Sequence, residues 1–177
     1  MTYLERAQQT LQQIRNEHRY RELPERQLPA DVIDFSSNDY LGLASDPQVI
    51  EALKHARRAG SGGARLLAGR NRELSLLEEE LADWLGRERA LLFSSGYLAA
   101  VGTIPVIAAL IETILSDELN HASLIDGLRL TRKPRAIYPH GTLPPTNPET
   151  STLVVSESIF SMGGDAIDPR ALIEAMH

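Results

Sequence analysis

Hydrophobic positions in the first segment recur every three to four residues. From Tyr3 to His18, Leu4, Ala7, Leu11 and Ile14 share one face with Glu, Gln and Arg opposite, which predicts an amphipathic helix. Arg19 to Asp31 is polar, holds Pro24 and Pro29, and reads as a connector. Val32 to Phe35 is a short strand candidate and Ser36 to Leu43 a loop. Pro47 at a first helical position, followed by Val49, Ile50, Leu53 and Ala56, predicts a helix ending near Gly60. Gly60 to Gly63 is a flexible turn. Glu73 to Leu85 is strongly patterned, with Leu74, Leu77, Leu81 and Trp84 inward and Gly86 as its stop.

From Ala90 the pattern alternates. Ala90 to Phe93 reads as a buried strand, followed by a helix from about Tyr97. Thr113 to Ser116, Arg135 to Tyr138 and Leu153 to Ser156 are strand-like, and Ser123 to Leu130 is helical. Thr142 to Thr150 is a proline-rich loop, and Pro169 opens a last helix with Asp168 as N-cap. Strands alternating with helices predict an α/β fold with a mainly parallel sheet. The division expected is an N-terminal helix and connector, residues 1–44, followed by the first part of a large domain, residues 45–177.

The 177 residues carry 42% hydrophobic and 24% charged side chains, the make-up of an ordinary globular chain. A net charge of -6 without a basic block argues against nucleic acid or an anionic membrane as partner. With no cysteine, thiol nucleophiles, disulfides and thiolate metal sites are excluded, and no metal site is expected. The polar start, Met1 to Arg19, has no apolar signal core, and Val101 to Ile111 is too short to span a bilayer, so a cytoplasmic location is expected.

Candidate chemistry gathers at a few turns. Gly60-Ser61-Gly62-Gly63-Ala64-Arg65 follows a helix and lacks a Gly-Lys-Ser/Thr ending, so as a phosphate loop it is outweighed by a flexible connection. Ser95-Gly96-Tyr97, between an apolar run and a helix, directs free amides and the helix dipole at one spot; it reads as an anion cradle or as an ordinary turn. His121 sits at the sheet edge where such folds bind ligands, and is either a ligand contact or a loop hydrogen-bonder. Glu157 and Ser161 follow a central strand, where a buried carboxylate needs a partner. They are either part of a pocket or part of a loop closed by Gly163-Gly164.

Four stretches carry a family likeness. Phe35-Ser36-Ser37-Asn38-Asp39-Tyr40-Leu41-Gly42-Leu43, Leu91-Leu92-Phe93-Ser94-Ser95-Gly96-Tyr97, Asp117-Glu118-Leu119-Asn120-His121-Ala122-Ser123 and Ser156 to Asp165 together resemble the α-oxoamine synthases. The resemblance implies pyridoxal 5'-phosphate (PLP) as cofactor and an aspartate-aminotransferase-like fold, PLP fold type I. It implies an acyltransferase that joins an amino acid to an acyl thioester, of coenzyme A or an acyl-carrier protein, with loss of carbon dioxide. Ser-Ser-Asn-Asp-Tyr-Leu-Gly-Leu and Ser-Gly-Gly-Ala-Arg look most like the biotin branch, which condenses alanine with a pimeloyl thioester. Glycine- or serine-using relatives are the alternatives within the family. By the same likeness, Ser95, Gly96 and Tyr97 belong to the PLP-phosphate site, His121 stacks on the pyridine ring, and Ser161 bonds near the phenolic oxygen. Glu157 organises the pocket floor, Asn38 touches the substrate carboxylate, and Arg19 or Arg21 also meets it. Two positions depart from the family: Leu74 where a histidine is usual, and His140-Gly141-Thr142 where His-Asn-Asp is common.

Lys54 and Lys133 are the only lysines. The resemblance puts the family's cofactor lysine, and the aspartate that pairs with the ring nitrogen, beyond His177. It covers nearly the whole chain but only the family's first half. The sequence therefore also admits a non-catalytic fragment or partner subunit, or a phosphate-binding module built on Ser95-Gly96-Tyr97. An unpaired apolar sheet edge predicts association, a homodimer being expected.

Overall fold

Thr2 opens the first helix, α1 (Tyr3–Asn16), with a reciprocal capping box: its Oγ1 accepts from the Glu5 amide at 3.3 Å, and Glu5 Oε2 accepts from the Thr2 amide at 2.7 Å. The computed structural model describes residues 1–23, 29, 32–58, 60–68, 71–147, 149–174 and 176. Pro24, Gly69 and Arg70, noted in the sequence, lie outside the described residues. The chain gathers into two units, Met1–Ser61 and Gly62–His177.

In the first unit, Asp46 caps α2 (Pro47–Lys54), accepting from the amides of Gln48 at 2.7 Å and Val49 at 3.2 Å. The helix stops at Lys54, well short of Gly60, and its apolar stripe is exposed, Leu53 at 68%. A stripe sustains a helix only when something buries it. Val32 to Phe35 forms no strand. Ile33 and Phe35 are 78% and 93% exposed and pair with no neighbouring strand.

The second unit begins with a short turn of helix, α3 (Arg65–Ala68), and then α4 (Arg72–Trp84), capped by Asn71. α4 ends as its sequence implies: Gly86 takes a left-handed φ of +61°, and the Arg87 amide returns to the Ala82 carbonyl at 2.8 Å. Its inward face is narrower than the periodicity suggests. Ala82 is buried and Leu74 and Leu81 are half-buried, but Leu77 and Trp84 lie exposed. Ala90 to Phe93 also forms no strand. The Leu92 amide goes to Glu78 Oε1 at 2.8 Å instead of to a strand neighbour.

The remaining elements follow the expected alternation: α5 (Gly96–Ala108), β1 (Thr113–Asp117), α6 (Ala122–Leu130), β2 (Ala136–Tyr138), β3 (Thr152–Val155) and α7 (Pro169–Glu174). The sheet order is β2-β1-β3, and both pairings are parallel, with Leu115 opposite Ala136 and Val154. The core is Ile104 and Ala108 of α5, Ile114 of β1, Leu128 of α6 and Val155 of β3. Gly127 lets α5 and α6 meet this closely, since a Cβ there would lie 2.9 Å from the Ala100 carbonyl oxygen and from Ile104 Cδ1. Lys133 closes the far end of α5, its Nζ donating to the carbonyls of Ala108 at 2.6 Å, Ala109 at 3.4 Å and Ile111 at 2.8 Å. No helix among the described residues is long and apolar enough to cross a membrane.

Candidate functional site

Ser95 turns the chain into α5. Its backbone is extended, with φ -160° and ψ 158°, and its Oγ accepts from the Leu98 amide at 3.2 Å. The first turn of a helix has amides without intrahelical acceptors. With Leu98 satisfied, those of Gly96 and Tyr97 remain. Gly96 has no φ that demands glycine, and a Cβ added there meets nothing within 4 Å. The fold does not require glycine at this position, and a glycine leaves the backbone open to close approach.

Across from it, β1 ends at Asp117 and the chain turns into α6. The Asn120 side chain ties the turn to the sheet, its Nδ2 donating to Ser116 Oγ at 3.0 Å and to the Val155 carbonyl at 2.8 Å. His121 is the N-cap of α6. Its Nδ1 accepts from the Ser123 amide at 3.2 Å and lies 2.8 Å from Ser123 Oγ, so the neutral ring carries its proton on Nε2. The His121 amide donates to Glu157 Oε1, which gives the carboxylate after β3 its partner.

The N-termini of α5 and α6 and the carboxyl ends of β1 and β3 therefore frame one open cleft of about 440 Å³. Gly96, Tyr97, His121 and Glu157 line it together with Ser123 and Ser156. Two helix N-termini make it electropositive, and Glu157 answers part of that charge. Tyr97 reaches across the helix pair, its phenol donating to Asp126 Oδ2 at 2.8 Å, and Asp126 also accepts from Arg129 at 2.8 Å. The bond to Tyr97, then that to Arg129, holds the Asp126 carboxyl below its ordinary range, and the same contact raises the Tyr97 phenol. Burial pushes the Tyr138 phenol up, with neighbouring Ser156 opposing. Neither hydroxyl meets a partner at bonding geometry. Ser156 lines the cleft, but its Oγ is itself buried and its polar neighbour is the Tyr138 phenol.

The remaining sequence candidates fall elsewhere. Ser161 is exposed at a turn beyond Ile159 and does not line the cleft. Asn38, Arg19 and Arg21 belong to the Met1–Ser61 unit; all three are exposed, and Arg19 Nε donates to Glu17 Oε2 at 2.7 Å. Arg65, from the glycine-rich turn, forms a two-pronged pair with Glu78 at 2.8 Å on each side, so its guanidinium is engaged in structure. Sequence reasoning assigned no role to Ser156, although it ends an apolar strand and opens one of the stretches that carry the family likeness. It also passed over the linkage of Asp117, His140 and Asp165, three residues that share no motif.

Comparison with known proteins bears on the family and the fold. The sequence model of the family described as Aminotransferase class I and II matches residues 30–176. An 8-amino-7-oxononanoate synthase from Paraburkholderia phymatum is 43% identical over 157 residues, covering 81% of this chain and 40% of that protein. One from Burkholderia thailandensis is 43% identical over 159 residues, with 82% and 40% covered. Among solved structures, a serine palmitoyltransferase from S. paucimobilis with a bound PLP-myriocin aldimine superposes with a TM-score of 0.67 at 29% identity, over 77% of this chain and 38% of that one. An 8-amino-7-oxononanoate synthase from Francisella tularensis gives 0.61 at 25%, over 82% and 42%. The chain spans about two fifths of the length of the curated relatives it matches. Its parallel sheet and flanking helices have the aspartate-aminotransferase-like, type I fold. By sequence and by fold, the chain belongs to the aminotransferase class I and II family.

Proposed function

We propose that this protein holds pyridoxal 5'-phosphate in the cleft between α5 and α6. We further propose that it acts in the condensation of alanine with a pimeloyl thioester, losing carbon dioxide to give 8-amino-7-oxononanoate for biotin synthesis. The observation that carries the reading is the pairing, in one cleft, of free amides at Gly96 and Tyr97 with a capping His121 and a buttressing Glu157. The 43% identity to 8-amino-7-oxononanoate synthases supports the choice of reaction.

Each part has a physical task. The Gly96 and Tyr97 amides and the positive end of α5 bind a phosphate group, and the open space at the Gly96 Cα admits it to the backbone. His121, fixed by Ser123 and Glu157, offers a flat ring to stack on a heteroaromatic face, and a proton on Nε2. Glu157 positions His121 through the main chain, and Ser161 supplies a hydroxyl on the neighbouring turn. Asn38 with Arg19 or Arg21 is assigned to the substrate carboxylate. Bound PLP supplies an electron sink for charge developing at the α-carbon of the amino acid. We read the protein as a cytoplasmic homodimer.

Among the described residues the cleft lining contains no lysine. Lys133 is held by three carbonyls at the far end of α5, and Lys54 pairs with Glu51 at 2.7 Å in the other unit. A lysine that joins PLP in this cleft therefore has to come from outside the described residues, further along the same polypeptide or on another.

Titrating the chain with PLP by equilibrium dialysis tests the site. Gly96→Ala places a methyl group in the cleft and is expected to weaken PLP about tenfold, the equivalent of about 1.4 kcal/mol, while the thermal midpoint is not lowered. If the parent chain binds neither PLP nor inorganic phosphate at millimolar concentration, the proposal fails.

A further inference from the structure

One set of groups outside the cleft lining has no role in the reading above. Asp117, the last residue of β1, has a side chain that is 0% exposed. Its Oδ1 accepts from the Leu119 amide at 2.9 Å, and both of its oxygens lie 3.1 Å from Nδ1 of His140. The opposite ring nitrogen, Nε2, meets Asp165 Oδ2. Both nitrogens of an imidazole donate at once only when the ring is protonated. A buried carboxylate on one side and a second carboxylate on the other demand that form.

The surroundings reinforce it. Glu118 Oε1 accepts from the His140 backbone amide at 2.9 Å, and the Phe160 ring meets the imidazole edge-on at 4.3 Å. The charged groups facing His140 are thus Asp117 and Glu118 from the end of β1 and Asp165 from the turn after β3. Among the described residues none packed against it is a cation. Asp165 belongs to a tight turn. Phe160 donates to the Asp165 carbonyl at 2.9 Å, Gly164 to that of Phe160 at 2.8 Å, and Ile167 to that of Ser158 at 3.0 Å, while Ile159 bridges Ala166. Gly164 has a φ of +72°, which a side chain would strain. The same turn carries Ser158 and Ile159, which line the cleft, and Ser161.

We propose that His140 is a positioning residue: as an imidazolium strap from Asp117 to Asp165, it fixes the Ser158-to-Ile167 turn, and with it one wall of the cleft, against the sheet. What the turn serves rests on the PLP reading; the strap itself does not. The hydrogen bond to Asp165 and then that to Asp117 hold His140 above its ordinary value of 6.5, against the opposing effect of desolvation. The bond to His140 holds Asp165 below its ordinary value. As pH rises through the folded value of His140, one ring proton must serve two carboxylates. Asp117 is buried and Asp165 is 45% exposed, so Asp165 is the one released and the turn loosens.

The test is an NMR titration of the chain with its five histidines ¹⁵N-labelled. Both His140 nitrogens are expected to be protonated below a midpoint that lies above 6.5. The amides of Phe160, Gly164 and Ile167 should shift with the same midpoint. Asp165→Asn should lower that midpoint and speed hydrogen exchange at Gly164 and Ile167 about tenfold, a coupling of ordinary size. His140→Arg should keep the turn closed as pH rises, while His140→Gln should open it. If His140→Gln does not fold, the exposed Asp165→Asn carries the test. Asp165→Asn should also weaken PLP several-fold while leaving inorganic phosphate, which needs only the α5 amides, unaffected. A His140 midpoint at or below 6.5, or turn amides that do not follow it, overturns the strap. If neither probe binds the parent but the midpoints coincide, the PLP reading fails and the strap stands. If PLP binds and Asp165→Asn changes neither the turn amides nor affinity, the strap fails and the PLP reading stands.

Discussion

Gly127→Ala tests whether the close approach of α5 and α6 is set by backbone contact. The added Cβ would sit 2.9 Å from the Ala100 carbonyl oxygen, 2.9 Å from Ile104 Cδ1 and 3.3 Å from the Ala100 carbonyl carbon. The Ile104 side chain can rotate away. The Ala100 carbonyl lies within α5 and cannot yield unless the helix moves by about half an ångström, in a core that is already close-packed. Overpacking of this kind costs about 2 kcal/mol. Alanine in place of glycine in a helix returns about 1 kcal/mol. The net expectation is a loss of about 1 kcal/mol, which with a urea m-value near 2 kcal/mol/M lowers the unfolding midpoint by roughly 0.5 M. Gly102→Ala is the internal control. Its Cβ would meet only the Phe93 ring, at 3.0 Å, and a ring on an irregular segment can swing aside. That variant should be neutral or slightly more stable. Urea unfolding followed by circular dichroism reads both. If Gly127→Ala matches or exceeds the parent in stability, or if Gly102→Ala loses as much, the contact argument is wrong.

Two further predictions concern the same unit. Lys133→Met removes the donor shared by three carbonyls at the end of α5 and should cost about 1–2 kcal/mol in chemical denaturation; an unchanged midpoint would show that water replaces the ammonium without loss. The strap at His140 should also give stability a pH window. His140 is raised in the folded state, so its contribution is full below 6.5 and is lost as pH rises through the folded value. Asp165 is depressed, so its contribution is present above 3.8 and is lost as pH falls through its folded value. Thermal melts across pH should therefore show a maximum between the two, and Asp165→Asn should flatten it.

How much of this was legible in the sequence depended on where each residue finds its partner. α1, α4 and α6 carry caps within three residues of their starts, and β2 and β3 each pair with β1, so local pattern and final structure agree. Ala90 to Phe93 and Val32 to Phe35 have the apolarity of strands, but apolarity does not supply a neighbour to bond with. At Leu92 a glutamate took the amide instead. In the cleft, Gly96, Tyr97 and His121 stood out at the starts of helices and Glu157 just past the end of a strand. The Asp117–His140–Asp165 linkage joins positions 23 and 25 apart through side chains alone, and no periodicity or short motif signals that. Ser161 was named by likeness to a family motif, and its exposed place on the turn depends on a hydrogen-bond pattern that the motif does not spell out.

The order of the strands has a consequence for synthesis on the ribosome. β1 is the middle of the sheet, yet both of its neighbours are made after it, and Thr113 waits for Thr152. At about 5–20 residues per second this is a delay of roughly 2–8 s. Until β2 is made the amides and carbonyls of β1 have no ladder to join, and those that face β3 wait for the whole interval. Ile114 and Leu115, only 1% and 4% exposed in the finished fold, must be sheltered by something else. α5 precedes β1 and α6 follows it directly, and Gly127 lets the two helices close on each other. The helix pair is then the first cover available to the nascent strand, and the sheet is completed beneath it.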